Sequence, residues 1–466
     1  MTSKIQRFQY FILLFLFSIS GLIAQNQFSK KEVLEDLSDL KKILEEAHYD
    51  LYFYTPKLEF EANYEKIRNQ IQKDSFNLLE TTTLFQKVIT KMDNGHTFIP
   101  FPGGSYREYA YAGGTIFPLE IAFENGKSLI RKNWSNNENI KLGSEIVAVN
   151  GVSIEEILEK MYPQISAERN YFKKAKIELT SFPRLYWQVF GKKEEFTVDL
   201  MDNGIITNYT LPAINLIEDY EMKREEVIQS QMELKLLDDI AYLNPGGFGG
   251  DETKYRQFID SSFVEIKKQK IKNLILDLRN NPGGDDSFSD YMVSYIADIP
   301  FKWNSSFTLK TSQILKEQVR KQYDTTQAFW KEVLMRKDGE IYEYHFEDYQ
   351  PQPKNKRFDG NIYALVNRQS HSQATVTAAQ IQDYGFATLV GEETGEYASL
   401  IASIFQIELP NTKIPVYISK GKITRVNGST EHRGVIPDIL IQDHLLDEKD
   451  EILEGLIQQI KVNQQP

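Results

Sequence analysis

The apolar positions change period along the chain, and each change marks a stretch of different structure. Between residues 28 and 92 they recur at helical spacing: Val33, Leu34, Leu37, Leu40, Ile43 and Leu44 share one face, with Lys and Glu on the other. Residues 60–71 and 78–92 repeat the pattern, so 25–104 is expected to be a helical N-terminal domain. It closes at KMDNGHTFIP, where Asp93-Asn94-Gly95 stops the last helix and His96 opens an extended run. Across 105–225 short β-like runs take over, at 117–122, 128–131, 146–149 and 196–200. Within them KLGSEIVAVNGVSIEEIL, residues 141–158, reads as two turn pairs around a strand, then a helix.

From 226 to 450 short apolar strands alternate with helices, which predicts an α/β core. A strand at 240–243 and a helix at 252–268 lead to IKNLILDLRNNPGG, residues 271–284, an apolar strand ending in a Pro-Gly-Gly turn. A helix at 287–297 follows. Residues 300–357 are polar, aromatic and helix-biased, with Pro351 and Pro353 at their exit, and read as an insertion over the site. A buried strand at 362–366, a polar break at 367–373 and a helix at 374–383 stopped by Gly385 come next. Strands are expected at 387–390, 403–409 and 414–418. TEHRGVIPDILI, residues 430–441, closes the core ahead of a charged C-terminal helix and tail over 451–466.

Composition narrows the classes. With 466 residues, 41% hydrophobic and 12% aromatic, the chain can bury large cores and is not a disordered protein. The formal charge is −12 and no basic stripe stands out, which excludes a nucleic-acid partner. Without cysteine there can be no disulfide, thiolate catalysis or thiolate metal site. Lys4 and Arg7 precede an apolar stretch over 10–24 that is too short to span a membrane. Residues 1–24 therefore read as a signal peptide cut after Ala24, giving a periplasmic or secreted product with no membrane span.

Candidate chemistry gathers at the polar break that holds Ser370, His371 and Ser372. A strand, tight turn and helix place a serine at the mouth of an open sheet, where the helix's first N–H groups can meet an anion. The ordinary role of such a serine is to cap the helix. His96, at a loop-to-strand junction, has by itself only histidine's capacity to exchange protons near neutral pH in its favour. Gly283 and Gly284 let the backbone approach a ligand and expose N–H groups.

Four separated segments together resemble the tail-specific (C-terminal-processing) serine peptidases, in particular the tricorn-protease-like branch. LILDLRNNPGG matches the family's Asp-x-Arg-x-Asn-x-Gly-Gly signature through Asp277, Arg279, Asn281, Gly283 and Gly284. VNRQSHSQATVTAAQIQDYG is similar to its nucleophile segment, DNGHT to its Asp-Gly-His-Thr string, and EHRGVIPD to its Glu-x-x-Gly-Val-x-Pro-Asp tail. The resemblance implies a crotonase/Clp-protease-like ββα core with a helical cap and, around 141–158, a PDZ-like β-rich domain whose usual Gly-Leu-Gly-Phe loop is not visible.

Counted back from Gln382 of Gln-Asp-Tyr-Gly, the family's nucleophile falls on Ser372 rather than Ser370. The lysine base of the better-known bacterial members aligns with Tyr397, so a Ser–Lys dyad is absent there. The tricorn-like branch implies His96 as base, oriented by Glu431, with oxyanion donors on Gly283 or Gly284 and on Gln373. The function so implied is a secreted or periplasmic serine endopeptidase acting on peptides or unfolded protein tails, without cofactor or metal. The alternative is an inactive homologue that binds peptides through its PDZ-like part.

Overall fold

The computed structural model describes residues 27–224 and 231–463, so the signal-peptide reading of 1–24 lies outside the described residues. Ser29 opens helix α1 (Lys30–Ala47) with a reciprocal cap: its hydroxyl accepts the Glu32 N–H while the Glu32 carboxylate accepts the Ser29 N–H. Helices α2 (Lys57–Arg68) and α3 (Leu78–Ile89) follow, the latter capped the same way by Asn77 and Glu80.

A sheet of β1 (Leu119–Glu124), β2 (Lys127–Asn133), β3 (Glu145–Val149), β4 (Glu195–Asp202) and β5 (Ile205–Pro212) runs antiparallel in that order. Between β3 and β4 the chain holds α4 (Ile154–Met161), α5 (Asn170–Thr180) and α6 (Phe182–Phe190). The last two depart from the strands and turns that the hydrophobic pattern suggests. Each is short, and Ser181, at φ +96°, breaks the period between them while its side chain caps α6.

The second half of the chain builds two sheets. Its strands begin with β6 (Met232–Leu237) and β7 (Ile240–Pro245), then helix α7 (Glu252–Lys268), β8 (Asn273–Asp277) and helix α8 (Asp286–Val293). Strands β9 (Ser306–Lys310), β10 (Ile341–Glu343) and β11 (Asn361–Val366) lead to helix α9 (Gln373–Tyr384) and β12 (Thr388–Gly391). The chain ends through β13 (Leu400–Glu408), β14 (Pro415–Thr424), β15 (Ile439–Leu440) and helix α10 (Glu451–Asn463).

In the main sheet the order is β6-β7-β8-β11-β12-β15, parallel except for the β6–β7 hairpin. Helices α7, α8 and α9 cover one face, where Ile259, Phe263, Met292 and Ala378 meet Leu243, Leu274, Leu276 and Val366. Helix α10 covers the other with Ile452, Leu456 and Ile460. Burial on both faces explains why these strands read as unbroken apolar runs.

The second sheet has order β10-β9-β14-β13 and is antiparallel. Helices α1 to α3 share its core: Leu37, Leu40, Leu44 and Phe85 pack in one cluster with Phe307, Leu309, Val416 and Ile418. The stretch 300–357, expected as an insertion over the site, is thus built into this sheet through β9 and β10. The N-terminal helices are likewise part of a common core rather than a separate layer.

At the end of β8 a buried ion network stiffens the glycine turn. The Arg279 guanidinium contacts Asp277 at 2.7 Å and Asp450, at the start of α10, at 2.5 Å, and the Tyr242 hydroxyl donates to Asp277 at 2.8 Å. Arg279→Met should leave the buried Asp277 carboxylate uncompensated and cost about 3–5 kcal/mol, read as a lower denaturant midpoint with an unchanged m-value.

Candidate active site

Three distant segments meet at the carboxyl ends of the parallel strands. The first is the turn between β11 and α9. Ser372 stands at the N-terminus of α9 with φ 55° and ψ −129°, a conformation that L-residues rarely adopt, and its side chain makes no capping bond to the helix. The commonplace capping role is therefore not played. The Oγ lies 3.0 Å from Nε2 of His96. Ser370 is a different case: fully buried, its hydroxyl donates to the Leu278 carbonyl at 2.8 Å and accepts the Asn367 N–H at 3.1 Å, bracing the turn.

The second segment carries His96. Asn94 donates to the Ile401 carbonyl at 2.8 Å and accepts from the Ser419 hydroxyl at 2.9 Å, while Phe98 bridges to Tyr417 and stacks on its ring. The DNGHT string is thereby stitched to β13 and β14. The third segment follows β12, and it supplies the carboxylate. Glu396 is buried, with Oε1 3.0 Å from Nδ1 of His96 and Oε2 accepting the Ser372 N–H at 2.5 Å. The His96–Glu396 contact is a close charge pair rather than a well-aligned hydrogen bond, a looseness common in sites without substrate.

Glu431 does not serve this role. Its side chain is 60% exposed and pairs with Arg433 at 2.5 Å, so solvent rather than the histidine surrounds it. The expectation of Glu431 as the orienting carboxylate is corrected to Glu396. The oxyanion expectation is corrected in part. The Gly283 N–H is taken by the Asn281 side chain at 2.8 Å. Gly284 pairs with Phe248 through its neighbours' polar groups, and its own N–H has no acceptor among the described residues. The Gln373 N–H, first in α9, lies beyond the helix's own ladder. Both glycines are sterically required: at φ +83° a Cβ on Gly283 would come 2.6 Å from Ser372 Cβ, and one on Gly284 1.8 Å from the Phe248 carbonyl oxygen.

Neighbouring candidates are placed elsewhere. His371 contacts the Gln369 carbonyl oxygen through Nδ1, and burial pushes its pKa down. His432 is exposed and stacks on Tyr397. Lys420 is buried against the Ser403 carbonyl and hydroxyl, each at 2.9 Å, in the second sheet. A cavity of about 520 Å³ lined by Phe123, Tyr171, Arg368, Glu392 and Asp443 opens behind the nucleophile turn and does not include Ser372.

Electrostatics favour an ion pair. Burial pulls the His96 pKa down, but the Glu396 charge and contact outweigh it and the net shift is upward. Glu396 is held below the usual carboxylate range: burial opposes, and His96 and then His371 and Lys176 prevail. His96, Glu396 and Glu168 each bring a ligand atom within 4.8 Å of the others, a set able to hold a divalent cation. The part-buried Lys176 side chain faces the same carboxylates, whose charges oppose the burial that pushes its pKa down.

Residues 239–441 match the model of Peptidase family S41. The chain carries a peptidase family S41 domain. It is the domain of a serine-type peptidase, and the matched residues include Ser372 and Glu396 but not His96, which the N-terminal region delivers to it. Among solved structures, mature CPAF complexed with lactacystin is 15% identical at a TM-score of 0.65, over 93% of this chain and 97% of that one. The CPAF S499A mutant is 14% identical at 0.59, over 88% and 93%. These likenesses establish a shared fold that extends beyond the S41 domain to nearly the whole chain. The tricorn protease is also similar, 13% identical at a TM-score of 0.34, over 93% of this chain and 37% of that one.

The site residue that sequence reasoning missed is Glu396. It stands one position before Tyr397, where the resemblance directs attention to a missing lysine. Its one sequence signal is place: it lies in the loop beyond the carboxyl end of a parallel strand. The electrostatics yield a direct expectation. By NMR, His96 should titrate above pH 6.5 in the wild type, and in Glu396→Gln the midpoint should fall, because burial favours the neutral ring once the carboxylate charge is gone.

Proposed function

We propose that this protein is a serine endopeptidase that hydrolyses peptides or unfolded protein tails, with Ser372 as nucleophile, His96 as general base and Glu396 as the carboxylate that orients it. The observation that carries this reading is the chain of contacts Ser372 Oγ–His96 Nε2 and His96 Nδ1–Glu396 Oε1, each 3.0 Å. His96 takes the hydroxyl proton as Ser372 attacks the scissile carbonyl, and Glu396 stabilises the imidazolium so formed. The N–H groups of Gly284 and Gln373 are read as the donors to the developing oxyanion, each such donor being worth about 2.7–4 kcal/mol of barrier. The imidazolium returns its proton to the leaving amine, and water then releases the acyl group by the same steps in reverse.

Two finer readings belong with this one. The six-strand antiparallel sheet of residues 119–212 is read as the PDZ-like part, supported by the strand, turn and helix of 145–161, and the S41 core as crotonase-like. The enzyme is read as extracytoplasmic, supported by the Lys4/Arg7 leader pattern. No helix among the described residues is long and apolar enough to cross a membrane.

A fluorophosphonate probe should label the wild type at Ser372, located by peptide mass spectrometry, and Ser372→Ala should abolish both labelling and peptide turnover. No labelling of the folded wild type would return the protein to the peptide-binding alternative. His96→Ala should be nearly as damaging, and the double variant scarcely worse, because the members act as one unit. Glu396→Gln should lose on the order of 10³–10⁴ in turnover, near the cost of the same change in a comparable triad, whereas Glu431→Gln should keep wild-type turnover.

A further inference from the structure

The loop that presents His96 is gripped on its open side by two charged side chains for which the proposed mechanism has no use. Glu168 Oε1 accepts the Gly95 N–H at 2.7 Å, and Lys176 Nζ lies 3.3 Å from the Gly95 carbonyl while donating to the Ser166 carbonyl at 2.7 Å. Both polar backbone groups of the residue just before the base are thus occupied from the 166–176 segment. Gly95 leaves room for this grip: a Cβ there would lie 3.0 Å from each Glu168 carboxyl oxygen. The other oxygen, Oε2, is buried and has no hydrogen-bond partner among the described residues. Glu168 belongs to the cluster in which it, Glu396 and His96 each bring an atom within 4.8 Å of the others. Two ionised carboxylates so close would repel each other, and an orphaned buried carboxylate oxygen is costly.

We propose that Glu168 is a positioning residue that fixes Gly95 and so keeps His96 in register with Glu396 and Ser372. The inference rests on the Ser372–His96 reading. Burial first and the Glu396 charge second push the Glu168 carboxyl up, against Lys176, the Gly95 N–H and His96. The other titratable groups facing this pair are Tyr54, Tyr397 and His371.

The test is the second-order rate of fluorophosphonate labelling of Ser372 as a function of pH, in the full chain, with folding checked by thermal unfolding. Glu168→Ala frees the Gly95 N–H, so labelling should slow at least tenfold. Its acid limb should move to lower pH as His96 drifts from Glu396. Glu168→Gln keeps an acceptor for the Gly95 N–H and should restore the rate to within about threefold. Gly95→Ala, which leaves Glu168 present but pushes it off, should behave like Glu168→Ala and serves if that variant does not fold.

Wild-type rates and limbs in both Glu168→Ala and Gly95→Ala would overturn the positioning role. A Glu168→Gln rate as low as that of Glu168→Ala would also overturn it, since the amide oxygen can still accept the Gly95 N–H. A folded wild type that does not label at all would instead overturn the peptidase reading on which the inference stands.

Discussion

The arrangement depends on one buried charge. Glu396 is almost wholly removed from water, and an ion so placed costs several kcal/mol unless charges and donors surround it. Its two oxygens are answered by the His96 ring and the Ser372 N–H, which come from opposite ends of the chain. The carboxylate is therefore stable there only when the N-terminal loop and the nucleophile turn are both in place. This requirement explains why helices α1 to α3 share a core with the second sheet. Strands β13 and β14 emerge directly after Glu396 and bind the His96 loop, so the base is delivered by a packed layer rather than by a tether.

A second tie runs through residues 166–178. Arg169 donates to the carbonyls of Thr394 and Gly395 and pairs with Glu393, fixing the segment that ends in Glu396. Glu178 pairs with Arg368, and the Ala175 carbonyl accepts from Gln369, fixing the nucleophile turn. Lys173 contacts Asp93 on the His96 loop. One stretch thus touches all three contributors to the site. Because it leads into and out of the antiparallel sheet of β1 to β5, displacement of that sheet would be felt at the base, the carboxylate and the nucleophile together.

Legibility in the sequence followed from how local each signal was. The alternation of β8, β11 and β12 with helices, and the Ser372 turn, could be read because periodicity and glycine positions are local properties. Asp277 and Arg279 could likewise be picked out because they lie in one contiguous motif. Helices α5 and α6 were not, since each is short and the strained Ser181 interrupts them. Glu168 and Glu396 could not be identified as a pair, because what distinguishes them is burial against His96, a fact created only by tertiary packing. The place of 300–357 in the second sheet could not be read for the same reason: short strands β9 and β10 gain their place from β14, not from their own pattern.

The shift from Glu431 to Glu396 has a physical basis. The two segments run side by side, with the Thr394 N–H donating to the Val435 carbonyl and the Ala398 N–H to the Arg433 carbonyl. A carboxylate for the histidine can in principle be supplied from either, since a triad is defined by geometry rather than by chain position. The choice has a consequence. Ser372 is held in a backbone conformation that costs of order 1–3 kcal/mol and persists only when its surroundings over-determine it. Glu396 contributes to that restraint by accepting the Ser372 N–H, which an exposed side chain on the outer segment would not do. The placement of His96 and the strain at Ser372 are thereby put under one carboxylate, so any loosening of Glu396 relaxes both at once.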